Sequence, residues 1–183
     1  MKQLELLMDE TALERSLTRM AHQILERNPD LSALGIVGMQ TRGVYLAQRI
    51  IKKIQDIEDI RLEYGVLDVT LYRDDYRTAF KQPKVQITDI PFDINGKNVL
   101  LVDDVLYTGR TVRAALDALT DFGRPRSIQL AVLVDRGHRE LPIRADFVGK
   151  KMTTRKDQEV SLHVSEIDGN NALWLMQLEE GDR

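Results

Sequence analysis

The sequence predicts an α/β fold in which a doubly wound, mainly parallel sheet carries helices on both faces. Apolar runs of strand length alternate along the chain with helical patterns of about three turns, as in βαβ units. The run at 99–102 is apolar throughout, which is typical of a strand covered on both faces. Gly and Pro residues are scattered singly rather than gathered into a linker. We therefore expect a single domain over residues 1–183.

Three helices are indicated by apolar residues at helical spacing. Asp9 is a good N-cap for a helix over 10–27. The segment 44–54 repeats apolar side chains at the same spacing and predicts a second helix. A third helix is expected over 112–122, where a glycine directly afterwards closes the pattern.

The strands are predicted from short apolar segments between these helices. They lie at 33–38, 62–66, 69–72, 99–102 and 128–134, with shorter candidates at 146–149, 160–164 and 173–178. Sheets of this kind bind ligands beyond the carboxyl ends of their strands. The segment 73–84 is polar, charged and contains proline, with almost nothing to bury, which predicts a mobile surface loop.

The composition excludes several classes of protein. The chain has no Cys, so disulfides, thiolate metal sites and a Cys nucleophile are excluded. Its first residues lack the pattern of a signal peptide, and no apolar stretch approaches the roughly 20 residues that span a bilayer. We expect a cytoplasmic chain without a membrane partner. The net charge of −3 argues against DNA binding and limits any RNA site to a local patch.

Chemistry-bearing residues are concentrated where the strand at 99–102 ends. Asp103 and Asp104 follow this strand, and adjacent carboxylates can accept hydrogen bonds from both hydroxyls of a ribose. The turn 108–111 supplies two Thr hydroxyls, Gly109 and N–H groups at a helix start, which suit a phosphate. Together they predict a ribose 5-phosphate ligand. An acidic turn with a polar helix cap is the alternative, but it leaves the acid pair unexplained.

This segment resembles the type I phosphoribosyltransferases. Their signature for phosphoribosyl diphosphate (PRPP) is an apolar strand, two acids, three varied residues and Thr-Gly-Arg or Thr-Gly-Lys with a further Ser or Thr. Residues 99–111 match it throughout, whereas the Walker and Rossmann glycine patterns do not occur. The resemblance implies the type I fold, with a small hood region over about 136–183. It also implies that PRPP or nucleotide contacts Val102, Asp103, Asp104, Val105, Leu106, Tyr107, Thr108, Gly109, Arg110 and Thr111.

Longer segments resemble one bacterial subgroup, the pyrimidine-operon attenuation regulators that are also uracil phosphoribosyltransferases. The segments are 24–28, 71–75 and 134–146, and the likeness runs from residue 9 to about residue 166. It implies transfer from PRPP to uracil, and binding of pyrimidine-operon leader messenger RNA under the control of UMP or UTP. It further implies a homodimer or a higher homo-oligomer. A salvage enzyme without RNA regulation and a regulatory module without catalysis remain open.

The resemblance assigns diphosphate to two loops. The loop 38–43, with Thr41 and Arg42, would bind it through backbone N–H groups, although a plain strand-to-helix turn also fits. The loop 73–84 would close over the site and exclude water, with Arg73 acting in catalysis beside the two acids. Solvated loop charges are the alternative. Asp104 is the candidate general base.

The base and the metal are assigned in the same way. The segment 145–149 resembles the hood strand of related enzymes, so Phe147 is expected to stack on the base and Val148 to contact it. A core position for Phe147 is the alternative. Arg136 is expected to contact base or nucleotide. Mg²⁺ should bind mainly through PRPP, without a dedicated protein metal site.

The outer face of the helix at 10–27 is a candidate RNA surface. Arg15, Arg19 and His22 fall on one stripe at 100° per residue, but Glu26 shares it, and an ordinary solvated face is the alternative. The resemblance implies a larger RNA surface, made of Thr18, Arg19, His22, Arg27, Thr41, His138, Arg139 and Arg144. Binding to RNA phosphates should weaken steeply with salt.

Overall fold

A computed structural model describes residues 1–70 and 87–179. The predicted loop at 73–84, and Arg73 with it, lie outside the described residues. The elements in chain order are β1 (Lys2–Met8), α1 (Glu10–Arg27), β2 (Leu34–Met39), α2 (Arg42–Ile57), β3 (Glu63–Leu67), β4 (Asn98–Leu106), α3 (Arg110–Leu119), β5 (Ser127–Asp135), β6 (Phe147–Lys151), β7 (Gln158–His163), α4 (Ser165–Asp168) and β8 (Ala172–Gln177).

The main sheet has five parallel strands in the order β3-β2-β4-β5-β6. Successive side chains of a strand point to opposite faces. Ile36 and Leu100 accordingly pack with α1 and α2 in one core cluster. Leu101 and Val132 pack with α3 in the other. The predicted doubly wound, parallel α/β fold is therefore confirmed, with β4 at the centre of the sheet.

A second, antiparallel sheet has the strand order β1-β8-β7. β1 was not predicted from the sequence, although Leu4 and Leu6 alternate with Gln3 and Glu5 in the period of a strand. The expected hood segment, 136–183, thus supplies only part of this sheet, because β1 comes from the other end of the chain. β6 lies in the main sheet instead, since it pairs with β5.

Local signals explain most of the element ends. The carboxylate of Asp9 accepts the N–H of Ala12 at 2.7 Å, so α1 begins where the capping pattern predicted. The strand predicted over 69–72 is wrong for residues 69 and 70, the part of it that the structure describes. There Asp68 accepts the N–H of Thr70 at 2.9 Å, a local turn that takes the chain out of the sheet.

Within residues 1–70 and 87–179, every helix is too short or too polar to cross a membrane.

Candidate active site

A cavity of about 410 Å³ opens at the carboxyl end of β4. It is lined by Asp103, by the residues from Val105 to Val112, and by Glu140. The structure therefore brings one predicted acid and the whole predicted phosphate turn to a single cavity. Glu140 was not predicted as a site residue. It belongs to a loop that reaches the cavity through the tertiary fold, and no sequence pattern around Glu140 indicates this contact.

The acid pair lies inside β4 rather than after it, because the strand continues to Leu106. Asp103 is buried, and its Oδ1 accepts the N–H of Asp104 at 2.9 Å. Asp104 is half-buried, and its Oδ1 accepts the N–H of Val105 at 2.8 Å. Adjacent strand positions point to opposite faces, and of the two acids Asp103 lines this cavity whereas Asp104 lies beside it on β4. These short bonds hold both carboxylates in fixed directions.

The phosphate turn has the geometry that its sequence suggested. Gly109 has a φ of +95°, in the left-handed region, and directly precedes α3. The Thr108 hydroxyl accepts the N–H of Arg110 at 3.3 Å. The first N–H groups of α3 therefore start at the cavity, where a helix favours an anion. At the rim, the guanidinium of Arg110 binds the carboxylate of Glu140 at 2.7 Å.

The first turn of α2, at the end of the predicted diphosphate loop, packs directly against the strand that carries the acids. A Cβ atom on Gly43 would lie 2.4 Å from the carbonyl oxygen of Val102 and 3.0 Å from the Cα atom of Asp103. The peptide bond between Gln40 and Thr41, within this loop, is cis. The predicted diphosphate loop and the predicted ribose site are thus neighbours.

Arg42, predicted for diphosphate, is held by an acid that the sequence did not suggest. Its guanidinium binds both carboxylate oxygens of Asp168, at 3.0 and 3.3 Å. Burial raises the pKa of Asp168, but the N–H of Val164 and the charge of Arg42 outweigh it and hold that pKa below its usual value. Asp168 is therefore a carboxylate near neutral pH and fixes Arg42 beside α4.

Arg136 is buried between the cavity wall and the second sheet. Its guanidinium lies 3.9 Å from the ring centre of Tyr107, which lines the cavity. Its Nε donates to the hydroxyl of Thr154 at 3.2 Å, and a terminal nitrogen donates to the carbonyl of Gln158 at 2.7 Å. Burial lowers the pKa of Arg136, while Tyr107 and Glu159 act in the opposite direction. Its contacts are with protein groups behind Tyr107, so it shapes the cavity wall.

Comparison with known proteins identifies the family. A model of the phosphoribosyl transferase domain matches residues 4–166. The bifunctional protein PyrR of Pelotomaculum thermopropionicum is 55% identical over 174 residues, which cover 95% of this chain and 96% of that protein. The PyrR of Halalkalibacterium halodurans is 54% identical over 174 residues, covering 94% and 97%. The chain belongs to the PyrR family of phosphoribosyltransferases. The family predicted from the sequence is confirmed.

Solved structures show the same fold at lower identity. A hypoxanthine phosphoribosyltransferase from Staphylococcus aureus superposes with a TM-score of 0.70 at 23% identity, covering 97% of this chain and 94% of that one. The hypoxanthine phosphoribosyltransferase of Trypanosoma cruzi superposes with a TM-score of 0.69 at 17% identity, covering 97% and 98%. These likenesses confirm the predicted type I phosphoribosyltransferase fold.

One predicted base contact of this PyrR-family chain needs correction. Phe147 is 5% exposed and packs in the core cluster that contains α1. It is in register with Ala131, in the middle of the sheet, and Val148 is in register with Val132. Both residues lie several positions before the carboxyl edge at which the cavity opens. The ring of Phe147 is a core side chain, so it does not stack on a base in this structure.

The predicted RNA stripe of α1 lies on an open surface formed by residues of α1 alone. It carries Arg15, Thr18, Arg19 and His22 together with the acids Glu10, Glu14 and Glu26. Arg19 donates to the carbonyls of Val148 and Gly149, which ties α1 to β6. Arg27 and Thr41 are exposed elsewhere on the surface.

The other predicted RNA residues lie in the loop after β5, and they differ in exposure and in their hydrogen bonds to protein groups. Arg144 is exposed. The Nε2 of His138 lies 2.6 Å from the carbonyl oxygen of Thr154. Arg139 donates to the carbonyls of Leu106, Tyr107, Gly137 and Ile143 and to the carboxylate of Asp135. Its guanidinium therefore holds the loop in shape. The polar, charged sequence around Arg139 gave no sign of this role.

Proposed function

We propose that this chain transfers the phosphoribosyl group of PRPP to uracil, forming UMP and diphosphate, and binds pyrimidine-operon leader RNA under the control of a uridine nucleotide. The observation that carries the proposal is the cavity at the end of β4, where Asp103 and the phosphate turn meet in a PyrR-family chain. The two activities agree with relatives that are named bifunctional.

Each part of PRPP has a matching group in or beside the cavity. The hydroxyl of Thr108 and the N–H groups at the start of α3 suit the 5′-phosphate. The carboxylate of Asp103 suits a ribose hydroxyl. The predicted diphosphate loop suits the diphosphate, because Gly43, in the turn of α2 that ends it, touches the strand at Val102 and Asp103. The cavity size also fits a nucleotide-sized ligand.

The transfer breaks the bond between the anomeric carbon and a diphosphate oxygen and forms a bond from that carbon to a uracil nitrogen. Negative charge grows on the departing diphosphate, so its stabilisation is the main catalytic task. Thr41 and the backbone of its loop, with Arg73 from outside the described residues, are proposed for that task. The uracil nitrogen also loses a proton, for which Asp104 is the proposed acceptor.

Phosphoribosyltransferases generally use Mg²⁺ with PRPP, and the carboxylate of Asp103 at the cavity suits such an ion. Mg²⁺ keeps several waters and takes one or two carboxylates together with substrate oxygens. In the described ranges, no group of three or more His, Asp or Glu side chains could hold a metal alone. Mg²⁺ would therefore bind mainly through PRPP, with Asp103 as the protein carboxylate nearest to it, and the ion would neutralise charge on the leaving group.

The RNA activity is proposed for the outer face of α1 and the exposed parts of the loop after β5. An attenuator acts where the leader is transcribed, so we place the protein in the cytoplasm. The dimer or higher oligomer expected from the family would extend this surface. Light scattering coupled to gel filtration would measure the assembly state.

Two assays test the proposal. Incubation with uracil, PRPP and Mg²⁺ should yield UMP, and failure with uracil but success with another base would favour a different salvage enzyme. Gel-shift titration with pyrimidine-leader RNA should show tighter binding when UMP or UTP is added. Catalysis without any RNA shift would leave a salvage phosphoribosyltransferase that lacks regulation.

A further inference from the structure

Main-chain hydrogen bonds join the phosphate turn to the loop at 136–141. The N–H of Arg136 donates to the carbonyl of Leu106 at 3.1 Å. The carbonyl of Thr108 accepts the N–H of Glu140 at 3.0 Å and that of the following residue at 3.2 Å. Residues 106–108 and the 136–141 loop therefore form one bonded unit.

Side chains of the same loop enclose Tyr107. The guanidinium of Arg139 donates to the Tyr107 carbonyl at 2.6 Å. Arg136 stacks on the Tyr107 ring at 3.9 Å, and the ring of His138 meets it edge-on with 5.8 Å between the centres. A wall of the nucleotide cavity is thus held by residues of the loop in which the RNA contacts are proposed.

Thr154 anchors this unit on the other side. It is 6% exposed, and its hydroxyl accepts the Nε–H of Arg136 at 3.2 Å. Its carbonyl oxygen lies 2.6 Å from the Nε2 of His138. One buried threonine therefore contacts both the residue that stacks on Tyr107 and a predicted RNA residue. Arg136 reaches further, to the carbonyl of Gln158 at the start of β7.

We propose that Thr154, through Arg136, is a positioning residue that couples uridine nucleotide in the cavity to RNA binding by the loop after β5, in which Arg144 is exposed. This inference rests on the proposed function. A phosphate bound at the turn fixes Thr108 and Tyr107, and their bonds to the loop fix the loop. RNA then meets a loop that is already ordered and loses less conformational entropy on binding. Linkage requires RNA to tighten nucleotide binding by the same factor.

The test measures coupling rather than affinity alone. Fluorescence anisotropy with a labelled pyrimidine-leader hairpin gives the Kd for RNA of the full-length chain with and without saturating UMP. Calorimetry gives the Kd for UMP alone. In the native chain UMP should tighten RNA binding by on the order of tenfold. In Thr154→Val, which removes the acceptor for Arg136 at nearly constant volume, we expect the ratio of the two RNA Kd values to move clearly towards one, while the main-chain bonds between turn and loop remain.

Two variants control for nonspecific effects. Thr153→Val makes the same change at the exposed neighbouring position and should keep the native ratio. Thr154→Ser restores the hydroxyl and should restore the ratio. If Thr154→Val does not fold, Arg136→Lys takes its place, because a single ammonium cannot keep the bonds to both Thr154 and Gln158.

The outcomes separate this inference from the function beneath it. A native ratio in Thr154→Val, or in Arg136→Lys where that variant is used, overturns the coupling role while the regulatory function stands. Absence of any UMP effect in the native chain overturns the proposed regulation, and this inference with it. If the effect of UMP on the RNA Kd is reduced in the Thr154 and Arg136 variants alone, while these variants still bind UMP, the coupling role is supported.

Discussion

A methyl group added at Gly43 is expected to push the diphosphate loop away from the strand that carries the acid pair. The new Cβ atom would lie 2.4 Å from the carbonyl oxygen of Val102 and 3.0 Å from the Cα atom of Asp103. Close carbon–oxygen contacts lie at about 3.3 Å, so the start of α2 must move by about 1 Å. Both clashing atoms belong to the main chain of a central strand, which cannot turn aside as a flexible side chain would.

The size of the effect follows from this displacement. Overpacking of this kind destabilises the folded state by about 1 to 3 kcal/mol, while replacing Gly by Ala in a helix stabilises it by about 0.5 to 1 kcal/mol. We expect Gly43→Ala to lower the free energy of unfolding by about 1 to 2 kcal/mol. A displacement of about 1 Å among catalytic groups reduces rate by about a hundredfold, so kcat/KM for PRPP should fall by that order.

Urea denaturation and steady-state kinetics with uracil and PRPP measure the two effects. Gly96→Ala is the matched control, since its φ of +71° makes any side chain strained while the surrounding space is open. That strain costs about 1 to 2 kcal/mol. Gly96 precedes β4, at the edge opposite the cavity, so the control should lose similar stability and keep native kinetics. Native kcat/KM in Gly43→Ala would refute the placement of the diphosphate loop.

Three further outcomes test other parts of the site. Replacing both acids, with Asp103→Asn and Asp104→Asn, should abolish transfer and leave the circular dichroism spectrum native; unchanged turnover would show that the acid pair is misassigned. Arg19→Ala should weaken RNA binding in a gel shift and keep the native rate of UMP formation, so a catalytic defect alone would contradict the proposed division of surfaces. The third concerns Asp168, whose folded pKa lies below its usual value. Its contribution to stability is complete above the unfolded pKa of about 4 and is lost as pH falls through the lower folded pKa. The urea midpoint of Asp168→Asn should therefore fall less on acidification than that of the native chain, and equal slopes would argue against an ionised Asp168 that binds Arg42.

Local sequence was sufficient for the centre of the site. The segment 99–111 predicted a strand, an acid pair and a phosphate turn, and the structure places them in that order at the end of β4. The helix at 10–27 was equally predictable, because Asp9 caps it and apolar spacing defines its buried face. These features depend on residues within a few positions of one another, so they can be predicted from short stretches of the sequence.

Features that depend on distant residues were missed or misread. β1 pairs with β8 across nearly the whole chain, and no local pattern reveals that partner. Phe147 was expected to meet the base because its neighbourhood resembles a hood strand. Its register with Ala131 instead places it in the core. The role of Arg139 in binding backbone carbonyls also follows from a loop conformation that periodicity does not determine.

The sequence by itself determined the parallel α/β fold and the strand-to-helix turn at the cavity, because short-range spacing and turn chemistry specify them, and its motifs indicated the family by resemblance. Only the tertiary structure decided which charged groups line the cavity and which are held by other protein groups. Arg42 binds Asp168, and Arg136 lies behind Tyr107, through contacts between elements far apart in the chain. Such contacts arise when the sheet brings its strand ends to one edge, and that assembly is a property of the whole fold.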